Sequence, residues 1–201
     1  MSDSFLILHG WGGNKPAHWQ EWLAAELEQA GTKVYYPKMP NPGEPCLAAW
    51  LTTIHDQVRS LPSARVTVLC HSLGAISWMH YVTSVQSQIA DRVLLVAPPY
   101  VSRDIPPADT PPGINNFFPP PLDASAIRRA AGETSIIYGE NDCYGTEDQT
   151  KAYADKLEVP MHMLPAAGHV SPYWGYGDWP WVRKWCLGRA SLPPEPRPST
   201  E

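Results

Sequence analysis

Two sequence patterns alternate along this chain, and the alternation constrains the fold more than any other feature. Six short apolar runs, rich in β-branched or aromatic residues, occupy residues 5–8, 33–36, 66–69, 93–96, 135–138 and 161–164. Stretches with helical periodicity separate these runs. Several runs are apolar throughout, which is typical of strands covered on both faces, and the connections are long enough for helical crossovers. The pattern therefore predicts a three-layer α/β fold with a mostly parallel sheet of about six strands.

Length and proline content suggest how the chain is divided. Its 201 residues are enough for one sizeable core, so we expect a single domain over residues 1–190. A proline-rich flexible tail is predicted over residues 191–201, because prolines lack an N–H donor and have a fixed φ. A second proline cluster, between Pro98 and Pro121, predicts an ordered but irregular excursion.

The composition argues against several classes of protein. A net charge of −5 gives no basic patch for nucleic acid or anionic lipid. No segment approaches the roughly 18 consecutive apolar residues of a membrane span, and no basic-then-apolar signal region is found, so we expect a cytoplasmic protein. The cysteines are scattered and predict neither a disulfide framework nor a metal site; they are Cys46, Cys70, Cys143 and Cys186.

The segment Cys70-His71-Ser72-Leu73-Gly74 follows the third apolar run and precedes a helical pattern. This arrangement is typical of a nucleophile elbow, a sharp strand-to-helix turn that exposes a serine hydroxyl and directs backbone N–H groups at the same point. The usual pattern has glycine two residues before the serine, and Cys70 takes that place here. Because such pentapeptides also occur as ordinary tight turns, the interpretation requires a base, an acid and an oxyanion site elsewhere.

Candidates for the base and the acid follow later apolar runs. The carboxyl ends of parallel strands meet at one edge of the sheet, where active sites form. His169, after the sixth run, is the candidate base. An imidazole ordinarily has a pKa near neutrality, so it can accept the serine proton and pass it to a leaving group. Asp142, after the fifth run, is the candidate acid that orients the imidazole. Asp142 could instead be a helix cap or a solvated turn, and His169 an ordinary loop residue.

An oxyanion site requires two N–H donors. We predict the backbone N–H of Leu73, directly after the serine, and that of Trp11, in the glycine-containing loop after the first run. The glycine cluster around Trp11 could also be no more than a strand-to-helix turn. The other histidines are predicted to be structural: His9 shapes the first loop, His71 points away from the serine, and helix or strand patterns contain His18, His55, His80 and His162.

Several segments match motifs of a known family. They are His9-Gly10-Trp11 with Trp19 downstream, His71-Ser72-Leu73-Gly74-Ala75, Val96-Ala97-Pro98-Pro99, Asn141-Asp142, Gly168-His169 and Gly175-Tyr176-Gly177-Asp178-Trp179-Pro180. The chain thereby resembles the α/β-hydrolase superfamily, and more narrowly the small serine hydrolase family typified by retinoblastoma-binding protein 9. The resemblance implies Ser72 as nucleophile, Asp142 as acid and His169 as base, with minimal or no cap domain. We expect the reaction to need no cofactor. Residues 101–121 do not follow the family's pattern.

These observations predict a serine hydrolase that cleaves a small ester, thioester or amide through an acyl-enzyme intermediate on Ser72. Acyl transfer or peptide cleavage on the same triad is an alternative chemistry. An alternative of a different class is a partner-binding protein on a hydrolase scaffold. Its support is the proline-rich tail and a set of aromatic residues predicted to be exposed, namely Phe117, Phe118, Tyr173, Trp174 and Trp181.

Overall fold

The structure is a computed structural model that describes residues 3–62, 65–100, 112–117 and 119–195. Within these ranges, six strands form one sheet with the order β2-β1-β3-β4-β5-β6, and every neighbouring pair is parallel. The strands are β1 (Ser4–Leu8), β2 (Lys33–Tyr35), β3 (Val66–His71), β4 (Ala90–Val96), β5 (Ala131–Gly139) and β6 (Met161–Leu164). The predicted α/β fold with a parallel sheet of six strands is confirmed.

Helices cover both faces of the sheet. In chain order they are α1 (Trp19–Gln29), α2 (Leu47–Ser60), α3 (Leu73–Val82), α4 (Ala124–Ala130), α5 (Glu147–Leu157) and α6 (Pro180–Cys186), and short 3-10 turns occupy Pro112–Phe117 and Pro172–Trp174. One core cluster joins the sheet to α2, α3, α4 and α5, and a second joins it to α1 and α6. Successive strand residues alternate between the clusters: Leu6 belongs to the first and Phe5 and Ile7 to the second.

The described residues include no additional domain over the carboxyl edge of the sheet, as expected for a protein with minimal or no cap. None of the helices in this part of the chain combines the length and the apolar character that a bilayer crossing needs. Of the predicted tail, residues 191–195 are described, and Leu192 packs against the second core cluster. Residues 196–201 and half of the proline-rich excursion lie outside the described residues, and the boundary at residue 190 stays a prediction.

The predicted exposure of the aromatic set is wrong for two residues. Phe117 is fully buried against the Trp50 ring, and Trp181 is buried in the second core cluster. Both are core residues: Phe117 belongs to the first core cluster and Trp181 to the second. Tyr173 is exposed, Trp174 is half-buried, and Phe118 lies outside the described residues.

Candidate active site

Ser72 occupies a sharp turn between strand β3 and helix α3. Its backbone adopts φ 52° and ψ −125°, a region that non-glycine residues rarely enter and that costs about 1–3 kcal/mol. Two hydrogen bonds fix this conformation: the Ser72 N–H donates to the Val96 carbonyl, and the Ala75 N–H donates to the Ser72 carbonyl, both at 2.9 Å. The turn is therefore held by the neighbouring strand and by the first turn of the helix, as a nucleophile elbow requires.

Two glycines allow the elbow to pack closely on the end of strand β1. A Cβ added at Gly10 would lie 2.8 Å from the Ser72 Cβ, and one added at Gly74 would lie 2.5 Å from the Leu8 carbonyl oxygen. Both distances are shorter than real Cβ contacts. The loop after β1, the serine and the start of α3 thus form one close contact that larger residues at these positions would separate.

The structure brings the three predicted triad residues together. The Ser72 hydroxyl lies 2.9 Å from His169 Nε2, and His169 Nδ1 lies 2.8 Å from Asp142 Oδ2. Because a carboxylate can only accept, Nδ1 carries the proton and Nε2 is left to accept from the serine. Side-chain exposure is 2% for Asp142 and 13% for His169. The second Asp142 oxygen accepts from the Tyr144 N–H at 2.9 Å, which fixes the carboxylate plane.

Glu140 joins the loops that carry Asp142 and His169. Its N–H donates to the Leu164 carbonyl, its carbonyl accepts from the Gly168 N–H, and its carboxylate accepts from the Ala166 N–H at 3.0 Å. These bonds hold the loop after β5 against the loop after β6. Sequence reasoning missed this residue, although it directly follows a buried strand next to the predicted acid.

His71 contacts the backbone of the predicted base, and its orientation away from Ser72 stays a prediction. Its Nε2 lies 2.9 Å from the His169 carbonyl oxygen and must donate, since a carbonyl only accepts. The His71 ring also lies 4.8 Å from the His18 ring and 5.0 Å from the His169 ring, centroid to centroid. His71 therefore holds the loop of His169, a contact that no sequence motif indicated.

Burial keeps two of these histidines neutral. It lowers the pKa of His71 well below its ordinary value, and the neighbouring His18 and His169 lower this pKa further. Burial likewise lowers the pKa of His18 to about 4, with smaller contributions from His169, Lys15 and His9. His18 lies at the amino end of α1, where its Nδ1 accepts from the Gln20 N–H at 3.2 Å. The base therefore has uncharged imidazole neighbours at neutral pH.

The two predicted oxyanion donors have no acceptor within the described part of the chain. In the loop after β1, the Gly12 N–H donates to the Pro42 carbonyl and the Gly13 N–H to the Gly10 carbonyl. The intervening candidate, the Trp11 N–H, donates to no described group, and neither does the Leu73 N–H at the start of α3. The Trp11 side chain is 42% exposed, and its indole N–H donates to the Gly43 carbonyl at 2.9 Å. The role of the Trp11 and Leu73 backbone N–H groups as an oxyanion hole stays a prediction.

The aromatic side chain of Tyr144 borders the triad. The Tyr144 ring lies 4.6 Å from the His169 ring and is 54% exposed. Cys70 is fully buried, and burial raises the pKa of its thiol, which leaves it a neutral core side chain. Among the described residues, no three His, Cys, Asp or Glu side chains are grouped so that they could hold a metal ion.

Comparison with known proteins decides the family. A family model described as serine hydrolase matches residues 5–186. The chain belongs to this serine hydrolase family. The chain is also 23% identical over 184 residues to YdeN of Bacillus subtilis, which carries a hydrolase name; the match covers 90% of this chain and 93% of YdeN. The protein is therefore a hydrolase with the α/β-hydrolase fold. The narrower resemblance to the family of retinoblastoma-binding protein 9 stays a prediction.

Solved structures agree with this fold. The crystal structure of the B. subtilis ydeN product superposes with a TM-score of 0.77 at 21% identity, covering 94% of this chain and 98% of that one. A YdeN-like hydrolase from Pectobacterium atrosepticum gives a TM-score of 0.67 at 18% identity, with 93% and 90% covered. Est1E from Butyrivibrio proteoclasticus gives 0.61 at 14% identity, with 94% and 88% covered.

Proposed function

We propose that this member of the serine hydrolase family cleaves a small ester, thioester or amide through an acyl-enzyme intermediate on Ser72. The observation that carries the proposal is the hydrogen-bonded series from the Ser72 hydroxyl through His169 to the buried Asp142, with 2.9 Å and 2.8 Å between the bonded atoms. The distances lie in the range that general base catalysis needs. The proposed substrate is a small molecule with an activated or exposed acyl group.

In the first half of the reaction, the Ser72 oxygen attacks the carbonyl carbon while its proton passes to His169 Nε2. The carbonyl oxygen takes up the negative charge and is stabilised by the N–H groups of Trp11 and Leu73. Collapse of this intermediate breaks the bond to the leaving group, which takes the proton from His169. In the second half, His169 accepts a proton from water, the hydroxide attacks the acyl carbon, and Ser72 recovers its proton as the acid leaves.

The histidine neighbours add no like charge beside the base during these steps. The imidazolium of His169 is paired with Asp142 at 2.8 Å. The His71 ring lies 5.0 Å from the His169 ring, and the His18 ring lies 4.8 Å from the His71 ring. Burial keeps both His71 and His18 neutral at neutral pH. The positive charge that forms on His169 is therefore balanced by the carboxylate and meets no like charge from these two rings.

Replacement of the nucleophile tests the proposal. Ser72→Ala should reduce turnover of p-nitrophenyl esters by a factor on the order of 10³ or more, because only the oxyanion site and substrate binding remain. It should also abolish labelling by a fluorophosphonate probe. The matched control is Ser77→Ala, which removes a buried hydroxyl that donates to the Leu73 carbonyl on the same helix. Ser77→Ala should retain both turnover and labelling. Turnover and labelling that survive in Ser72→Ala would refute the assignment.

A further inference from the structure

His9 makes two hydrogen bonds that the proposed reaction does not use. It directly follows strand β1, is 1% exposed, and packs edge-on against Trp50 with 5.6 Å between ring centroids. Its Nε2 lies 3.0 Å from the backbone N of Met39, and its Nδ1 lies 2.7 Å from the carbonyl oxygen of Gly10. The Met39 N–H can only donate, so Nε2 accepts and Nδ1 carries the ring proton. Nδ1–H therefore donates to the Gly10 carbonyl.

The Gly10 carbonyl belongs to the same peptide group as the Trp11 N–H. A trans peptide is planar, so its N–H points opposite to its C=O. The carbonyl oxygen accepts from the Gly13 N–H at 3.3 Å, and the buried His9 ring holds it on the interior side of the loop. The Trp11 N–H is thereby directed away from the interior, and Gly10 packs against Ser72 closely enough that an added Cβ would lie 3.2 Å from Oγ.

We propose that His9 is a positioning residue that fixes the Gly10–Trp11 peptide with its N–H directed at the substrate oxyanion. The inference rests on the proposed function, since it assigns a role only if Ser72 forms a tetrahedral intermediate. If the peptide turned over, the Gly10 carbonyl would face the developing negative charge and the donor would be lost. The imidazole prevents this rotation because turning the peptide would break the bond to Nδ1 and leave a buried ring N–H without an acceptor.

A histidine suits this position because its two ring nitrogens perform different tasks. Nε2 holds the Met39 N–H in the segment after β2, and this bond sets the tautomer in which Nδ1–H reaches Gly10. The Gly12 N–H, which donates to the Pro42 carbonyl, ties the same loop to the same segment. The orientation of the peptide is thus linked to the segment after β2 and does not depend on the loop alone.

Two substitutions separate the two bonds. His9→Asn places an amide N–H where Nδ1 was and retains a donor for Gly10, but it loses the acceptor for Met39. His9→Gln extends an amide toward Met39 and retains that acceptor, but it loses the donor to Gly10. Both variants lose the ring packing on Trp50 to a similar degree. A purely structural role for His9 therefore predicts that kcat follows the thermal stability of each variant. A positioning role predicts that His9→Gln loses kcat relative to His9→Asn even where both variants are folded.

The measurement is steady-state turnover of a p-nitrophenyl ester by the full chain, with folding checked by thermal unfolding. We expect His9→Gln to lower kcat by roughly 10- to 100-fold with a small change in KM, below the 10²- to 10³-fold loss that follows complete removal of an oxyanion donor. His9→Asn should recover kcat to within a few fold of the original protein. Equal kcat values in the two folded variants would overturn the inference alone. Absence of Ser72-dependent labelling in the unaltered protein would overturn the proposed function and this inference with it.

Discussion

His18 makes the stability of this fold depend on pH. It is buried at the start of α1, and its pKa is lowered from 6.5 to about 4, first by burial and then by His169, Lys15 and His9. In the unfolded chain the imidazole takes up a proton near its ordinary pKa, whereas the folded protein resists protonation until about pH 4. The stability contribution is therefore fully present above pH 6.5 and is lost as the pH falls from 6.5 toward 4.

The size of this effect follows from the linkage between pKa and folding. Each pH unit between the two pKa values corresponds to about 1.4 kcal/mol of unfolding free energy. The full difference between the two pKa values therefore corresponds to about 3 kcal/mol. Between about pH 7.5 and pH 5, His18 alone should lower the free energy of unfolding by about 2 kcal/mol. Protonation of Nδ1 also removes the acceptor for the Gln20 N–H, which acts in the same direction. Urea unfolding, followed by tryptophan fluorescence at a series of pH values, measures the loss.

The matched control is His18→Asn. Asparagine is among the best residues at a helix amino terminus, so its side chain can accept from the Gln20 N–H without titrating. Loss of ring packing lowers the stability of this variant by the same amount at every pH, while the slope with pH should become smaller. Residual acid sensitivity is expected from His71, whose pKa burial also lowers. If the difference in unfolding free energy between the two proteins is the same at about pH 7.5 and pH 5, the reasoning is wrong.

Two further predictions concern packing and thiol reactivity. Gly74→Ala should destabilise the fold by roughly 1–3 kcal/mol and lower turnover of a p-nitrophenyl ester, because the added Cβ meets a backbone carbonyl oxygen at 2.5 Å. Gly43→Ala, whose added Cβ has nothing within 4 Å, should stay within about 0.5 kcal/mol of the unaltered protein in urea unfolding. Iodoacetamide should modify the exposed Cys46 and Cys143 of the folded protein and leave the buried Cys70 unmodified, as judged by peptide mass spectrometry, and rapid alkylation of Cys70 would contradict the packing around it.

The sheet could be predicted from the sequence because each strand contains a short apolar run. All six runs are strands, but β4 and β5 begin three and four residues earlier than their runs. The extra residues include Arg92 and Glu133, which are paired in register at the start of the two strands. A hydrophobic pattern does not detect such positions, because the hydrogen bonds between neighbouring strands extend β4 and β5 into polar sequence at their amino ends.

The proximity of Ser72, Asp142 and His169 could also be anticipated, because the carboxyl ends of parallel strands share one edge. The hydrogen bonds that hold the loops of these three residues could not be anticipated from the sequence. The His71 ring reaches the carbonyl of a residue 98 positions away, and the Glu140 carboxylate reaches the N–H of Ala166. Side-chain bonds to loop backbone depend on the loop conformation, for which the sequence carries no periodic signal.

Cys70 shows why a departure from the usual elbow pattern is compatible with the elbow. It lies inside β3, paired with Leu8 and Leu95, and its side chain is fully buried in the first core cluster. The close approaches at this elbow fall instead on Gly10 and Gly74, where an added Cβ would lie within 2.8 Å of neighbouring atoms. In this chain the turn therefore requires glycine after the serine and in the loop facing it. The position two residues before the serine requires only a side chain that fits the core, and a cysteine does.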